Sequence, residues 1–120
     1  MNNAFLHPDR RFRPVAFWFL NHDLETAEIR RQIAAMAEQG LGGVILHPRD
    51  GLRTDYLSET FAARLEDAIA AAEQHGMTVW LYDELHYPSG AAGFKLDLTG
   101  NRVMQTLRVT AESQLAPGAS

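Results

Sequence analysis

The sequence predicts an α/β protein with parallel strands, and three features carry that prediction. Val15-Ala16-Phe17-Trp18-Phe19-Leu20, Gly43-Val44-Ile45-Leu46 and Met77-Thr78-Val79-Trp80-Leu81-Tyr82 are near-continuous apolar runs too short for helices, the pattern of strands buried in a parallel sheet. Amphipathic stretches separate them, and only crossover helices can join parallel neighbours. Ala35-Met36-Ala37-Glu38-Gln39-Gly40 and Ala71-Ala72-Glu73-Gln74-His75-Gly76 occupy equivalent places 36 residues apart, the length of one βα unit.

A basic lead-in, Arg10-Arg11-Phe12-Arg13-Pro14, precedes the first strand, which ends at Asn21. Asp23 is a suitable cap for the helix that follows, because its carboxylate can accept from the free amides of the first turn. Ile29, Ile33, Met36 and Ala37 share one face of that helix, of about four turns, and Gly40 supplies the left-handed stop. The second strand closes on His47-Pro48-Arg49, and the loop from Asp50 to Leu57 leads to Ser58, another good cap. Phe61, Leu65, Ala68, Ile69 and Ala72 form the stripe of the second helix, which stops at Gly76. The third strand runs out at Asp83-Glu84 into Leu85-His86-Tyr87-Pro88-Ser89-Gly90-Ala91-Ala92-Gly93. Strands this apolar are expected to be covered on both faces. Beyond Leu98-Thr99-Gly100-Asn101 the rhythm breaks, and residues 97–120 read as the start of an inserted β-rich segment or a disordered tail.

Composition narrows the function. Fifteen acidic against eleven basic residues give a net charge of −4, with no Lys/Arg cluster along a helix face, which argues against nucleic acid and anionic membrane as partners. The absence of cysteine excludes disulfides, thiolate metal sites and cysteine nucleophiles. No apolar run approaches the ~20 residues of a membrane span, and Met1 to Arg10 holds no signal-peptide core, so a cytoplasmic location is the default expectation. The 120 residues suffice for one core but fall below the ~250 of a closed (β/α)8 barrel.

Phe17-Trp18-Phe19-Leu20-Asn21, Glu28-Ile29-Arg30-Arg31-Gln32-Ile33, Gly42 through Leu52, Tyr56-Leu57-Ser58, and Val79-Trp80-Leu81-Tyr82-Asp83-Glu84 through Pro88-Ser89-Gly90-Ala91-Ala92-Gly93 together resemble the amino-terminal part of glycoside hydrolase family 106, the α-L-rhamnosidases, and related glycosidase-like proteins. The resemblance covers most of residues 14 to 95. It implies a (β/α)8 (TIM) catalytic barrel in a longer multidomain chain, inverting hydrolysis by paired glutamates, and a calcium requirement. Residues 1–96 are then a partial barrel of three strands and two helices, the amino-terminal β/α units. Three strands cannot close an eight-stranded barrel, so the chain is expected to be part of a larger enzyme, prone to self-association through its open sheet edge.

Right-handed crossovers put Asn21, His47 and the Asp83-Glu84 pair on one rim, where α/β proteins bind ligands. Glu84 and Asp83 are the candidate catalytic carboxylates, and His47, Arg49 and Asn21 the candidate contacts to a carbohydrate substrate. Each has a plain structural alternative: Asp83 bonding loop amides, Glu84 lying in solvent, Arg49 paired to a local acid, Asn21 in a turn. Inversion sets its carboxyls roughly 6.5 to 9.5 Å apart, so neighbours on one strand are ill-suited to be the whole pair. Trp18 and Trp80, inside strands, are expected in the core. Ser89-Gly90 and Gly93 could form an anion nest, but no helix follows; Gly40-Leu41-Gly42-Gly43 precedes a strand instead of following one, so nucleotide binding is not supported. Two other readings stay open: a metal-dependent hydrolase with His47, Asp83 and His86 as ligands, and a binding module whose sheet another chain completes.

Overall fold

A computed structural model of the chain describes residues 3–85, 93 and 95. The element order is α1 (Asn3–Leu6), a 3-10 turn (Arg10–Phe12), β1 (Val15–Leu20), α2 (Thr26–Glu38), β2 (Gly43–Pro48), α3 (Glu59–Gln74) and β3 (Thr78–Leu81). The strands form one parallel sheet in the order β1-β2-β3. The expected α/β class and parallel pairing are therefore present; residues 97–120, on which an inserted β segment was expected, lie outside the described residues.

Side-chain alternation along the strands divides the sheet into two unlike faces. Ala16, Trp18 and Leu20 of β1, Val44 and Leu46 of β2 and Val79 of β3 face both helices and join one core with Ile29 and Ile33 of α2 and Ala68, Ala71 and Ala72 of α3. Ile33, Val44 and Ala72 are wholly buried; each large aliphatic so removed from water contributes about 1.5–3 kcal/mol. Both helices pack on this side. Asp67 of α3 ties them together, accepting from the Thr26 hydroxyl at 2.7 Å and from Arg30 at 3.1 Å and pairing with Arg64 at 3.0 Å. These contacts, the Thr26 hydroxyl foremost, hold its carboxyl below the usual range.

Among the described residues only one face of the sheet is covered. The second face carries Phe17, Phe19, Ile45 and Trp80, in register as Phe17 opposite Ile45 and Ile45 opposite Trp80, and no described helix crosses it. Phe17, Phe19 and Trp80 are 48%, 44% and 56% exposed. Trp80, expected in the core, is instead on the open face of an edge strand. β3 is also shorter than its apolar run: Met77 and Tyr82 flank it.

Local signals explain the boundaries. Ser58 caps α3 as expected, its hydroxyl accepting from the Phe61 amide at 3.1 Å, but α2 begins after Glu25, two residues past Asp23, with no side-chain cap. Thr54 accounts for the shift, because its hydroxyl takes the Leu24 amide at 2.9 Å and holds the chain extended there. Both helices end at glycines with φ near +87° and +61°, Gly40 and Gly76, a region open to residues without Cβ. Ile69 lies off the buried stripe of α3 and is 42% exposed, while Ala71, one turn on from Ala68, is buried in its stead. At Gly43 a Cβ would overlap the Thr78 hydroxyl and sit 2.7 Å from the Thr78 carbonyl oxygen, so glycine is required for β2 to approach β3.

Candidate functional site

The three strands end together, and their exits are stitched by backbone hydrogen bonds. The Arg49 amide donates to the Leu20 carbonyl at 3.1 Å and the Tyr82 amide to the Leu46 carbonyl at 3.0 Å. The loop after β1 is bound to the loop after β2 twice more, through Leu24 to the Thr54 hydroxyl and the Arg53 amide to the His22 carbonyl at 3.3 Å. Gly51, at φ +96°, lies so close beneath Asn21 that a Cβ there would be 2.9 Å from the Asn21 carbonyl oxygen. Asn21 itself is exposed on this rim.

His47 forms the centre of the first group of side chains. Lying opposite Phe19 in the register, it points to the aromatic face, where its ring centroid is 3.9 Å from Tyr82, 4.7 Å from Phe17 and 5.3 Å from Phe19. The residue is 1% exposed, and neither ring nitrogen has a hydrogen-bond partner among the described residues. Burial, and secondarily the charge of Arg49, push its pKa down, so the imidazole is neutral. Arg49 places its guanidinium 5.2 Å from the centroid of the Phe19 ring, within the range of a cation–π contact. A buried imidazole with both nitrogens unsatisfied costs about 1–3 kcal/mol per group; such groups mark places where a ligand, water or ion belongs.

Asp83 and Glu84 belong to a second group. Glu84 is 3% exposed and accepts from the Gly93 amide at 2.8 Å; Asp83 is exposed, and its backbone carbonyl accepts from the Tyr56 hydroxyl at 3.2 Å. Tyr56, buried and edge-on to Phe61, has its pKa raised by burial first, then by Glu84 and Asp83. Lys95 pairs with Asp55 at 2.8 Å and so ties residue 95 to the loop before α3, while Gly93 is held by Glu84. Glu84, in solvent on the plain alternative, is instead buried on a loop amide, and Asp83 is exposed. Strand alternation near β3 explains this, since Tyr82 takes the aromatic side and the chain then turns toward α3.

The rim therefore gathers His47, Arg49, Phe17, Phe19 and Tyr82 in one cluster and Glu84, Asp83, Tyr56 and Gly93 in another. The charge acting on His47 is that of Arg49, whereas the two carboxylates act on Tyr56. Phe17, Phe19, Tyr82 and Tyr56 were not foreseen as site residues. Parity could have found the first two, because Phe17 and Phe19 flank Trp18 and must face opposite to it. Tyr56 left a weaker signal, an aromatic residue in an otherwise polar loop.

A groove of about 270 Å³ lies elsewhere, between the end of β1 and α2, bordered by Trp18, Asn21, Asp23, Glu25, Glu28 and Gln32. Of the candidate site residues only Asn21 touches it. Glu28 on its wall is held at a pKa of about 2 by Arg31 and then Gln32, so its charge is already engaged. Among the described residues no three His, Asp or Glu side chains are grouped to hold a metal ion, which gives neither calcium nor the His47–Asp83 metal set a donor shell there; His86, the third ligand of that set, lies outside the described residues. No described helix is long and apolar enough to cross a membrane.

Fold and rim together define an α/β chain with helices on one side of its sheet and a histidine–arginine–aromatic cluster at the carboxyl ends of its strands. In comparisons with known proteins, no family model and no curated protein matches the chain.

Proposed function

We propose that this chain forms one arc of a (β/α)8-barrel glycoside hydrolase of the α-L-rhamnosidase kind, hydrolysing an O-glycosidic bond with inversion. The observation that carries the reading is the uncovered aromatic face. Parallel strands in sequence order with every crossover on one side follow the winding of a barrel, whose face opposite the helices is its packed interior. Further strands pairing with the outer edges of β1 and β3, which no described strand occupies, would cover Phe17, Phe19 and Trp80 and surround the rim. The first half of a dinucleotide-binding fold winds the same way, but it needs a glycine-rich turn after its first strand; Asn21-His22-Asp23-Leu24-Glu25 contains no glycine.

In this reading His47, Arg49 and Asn21 contact the sugar, and the aromatic rings offer it an apolar floor. Asp83, exposed on the rim, is the carboxylate nearer to solvent and substrate, while Glu84 acts from a position anchored to Gly93. A carboxylate spaced for inversion from either one is supplied by the strands that complete the barrel. The test is release of nitrophenol from 4-nitrophenyl α-L-rhamnopyranoside by the polypeptide containing the completed barrel, with the product anomer read by NMR. Asp83→Asn or Glu84→Gln is expected to lower kcat by about tenfold or more. Wild-type kinetics in both variants would remove the pair from the site, and failure to cleave any aryl glycoside would end the glycosidase reading.

A further inference from the structure

We propose that Tyr56 is a positioning residue for the carboxylates of this rim: its ring seats the backbone of Gly93, whose amide holds Glu84, and its hydroxyl holds the turn at Asp83. The inference rests on the glycosidase reading and names the side chain that sets the geometry of its carboxylate pair.

Tyr56 meets both ends of the second rim cluster. Its hydroxyl donates to the Asp83 carbonyl at 3.2 Å, where the chain leaves β3. Gly93 lies so close to its ring that a Cβ there would sit 2.5 Å from Cδ1 and 2.9 Å from Cε1, and the φ of +60° at Gly93 disfavours a side chain in any case. From that seat the Gly93 amide reaches the Glu84 carboxylate at 2.8 Å. A buried carboxylate is thus oriented by an amide whose own position is set by an aromatic face. Burial, then the charges of Glu84 and Asp83, raise the pKa of the phenol, which keeps its proton and remains a donor at neutral pH.

The tyrosine is itself fixed by the start of α3. Phe61, in the first turn of that helix, meets its ring edge-on with the centroids 5.2 Å apart. The chain between them makes a tight turn, closed by the Ser58 amide on the Asp55 carbonyl at 3.2 Å, and Leu57 within it adopts φ +62°, the one positive φ outside glycine among the described residues. Leu57 is 61% exposed, so its own side chain does little to offset the strain of a left-handed backbone. What the strained turn delivers is a buried Tyr56 on one side and the Ser58 cap on the other. Lys95, bonded to Asp55 at 2.8 Å, reinforces the same junction.

The test compares Tyr56→Leu, which removes ring and hydroxyl, with Tyr56→Phe, which keeps the ring. In the full chain, Tyr56→Leu is expected to speed hydrogen exchange at the Gly93 amide by about tenfold or more while the amides of β2 stay protected, and Tyr56→Phe to leave it near wild type. In the polypeptide containing the completed barrel, Tyr56→Leu should lower kcat on 4-nitrophenyl α-L-rhamnopyranoside by about tenfold with KM little changed, and Tyr56→Phe should keep most of the rate. Made in Glu84→Gln, the same Tyr56→Leu change should cost less than about twofold, since the carboxylate it acts through is gone. Gly93→Ala, which pushes the backbone off the ring and leaves Tyr56 in place, should reproduce both effects, so the outcome does not depend on the fold tolerating the loss of the tyrosine. Unchanged Gly93 exchange in Tyr56→Leu and Gly93→Ala would overturn the clasp. Equal losses of kcat with and without Glu84→Gln would mean that Tyr56 serves the fold alone and would overturn the positioning role. Failure of the wild type to cleave any aryl glycoside, with Gly93 exchange responding as expected, would end the glycosidase reading and leave the clasp standing.

Discussion

Protonation of His47 should work against folding, and the size of the effect can be bounded. Its pKa is depressed in the folded chain by burial and by Arg49, so the unfolded chain binds the proton more readily. Stability contributed by the neutral ring is therefore complete above the unfolded value near 6.5 and is lost as pH falls below it. If the folded ring stays neutral throughout, lowering the pH from about 7.5 to about 5 costs at most about 2 kcal/mol; partial protonation of the folded form makes it less. Replacing His47 by Leu removes the titrating group at similar volume. The loss of ring contacts with Tyr82, Phe17 and Phe19 shifts absolute stability, but it cancels when each protein is compared with itself at two pH values. Urea titrations followed by tryptophan fluorescence should give a larger pH-dependent loss in wild type than in His47→Leu, by no more than about 2 kcal/mol. The remaining histidines are common to both proteins and drop out of the difference. Equal losses would mean that the imidazole is not held neutral, and the account of the first rim cluster would be wrong.

Three further outcomes are expected. Gly43→Ala should destabilise by about 2 kcal/mol or more, because the new methyl meets both the hydroxyl and the backbone oxygen of Thr78, and Thr78→Ala added to it should not restore the loss; urea midpoints check this. Asp67→Asn should lower the thermal midpoint at neutral pH, and the gap from wild type should close in acid: a depressed carboxyl stabilises above its ordinary value of about 3.8 and ceases to as pH falls through its folded value. With no described strand on the outer edges of β1 and β3 and with Trp80 exposed, the chain should self-associate with concentration in sedimentation velocity, and replacing Trp80 by Lys should weaken that association; a monomer at every concentration would count against the open-edge reading.

Much of the chain could be read locally. Ser58, Gly40 and Gly76 announce their helix ends because a hydroxyl cap and a left-handed stop act within a few residues, and the two helix stripes locate Ile29, Ile33, Phe61 and Ala72 for the same reason. Asp23 misled because the competing partner of the Leu24 amide, Thr54, lies thirty residues away in sequence. Trp80 and the second sheet face misled for a related cause: apolar content tells that a strand is made to be covered, not whether the cover is present in the described residues. At the rim, topology placed Asn21, His47 and Asp83 at one end of the sheet. The division into two clusters depends on which way the backbone turns after Tyr82, a tertiary matter that the run Asp83-Glu84 does not encode. The glycosidase resemblance, carried by ordered blocks and not by one decisive motif, supplies a hypothesis for that geometry and no more.

The exit loops of β1 and β2 are bound to each other at three places: Leu20 to Arg49, His22 to Arg53 and Leu24 to Thr54 run side by side like rungs. Neither loop can then be lengthened, shortened or exchanged alone. An insertion anywhere between Arg49 and Thr54 would shear Asn21 out of place as surely as a change beside it. Re-engineering recognition at this mouth means transplanting the two segments as a matched pair.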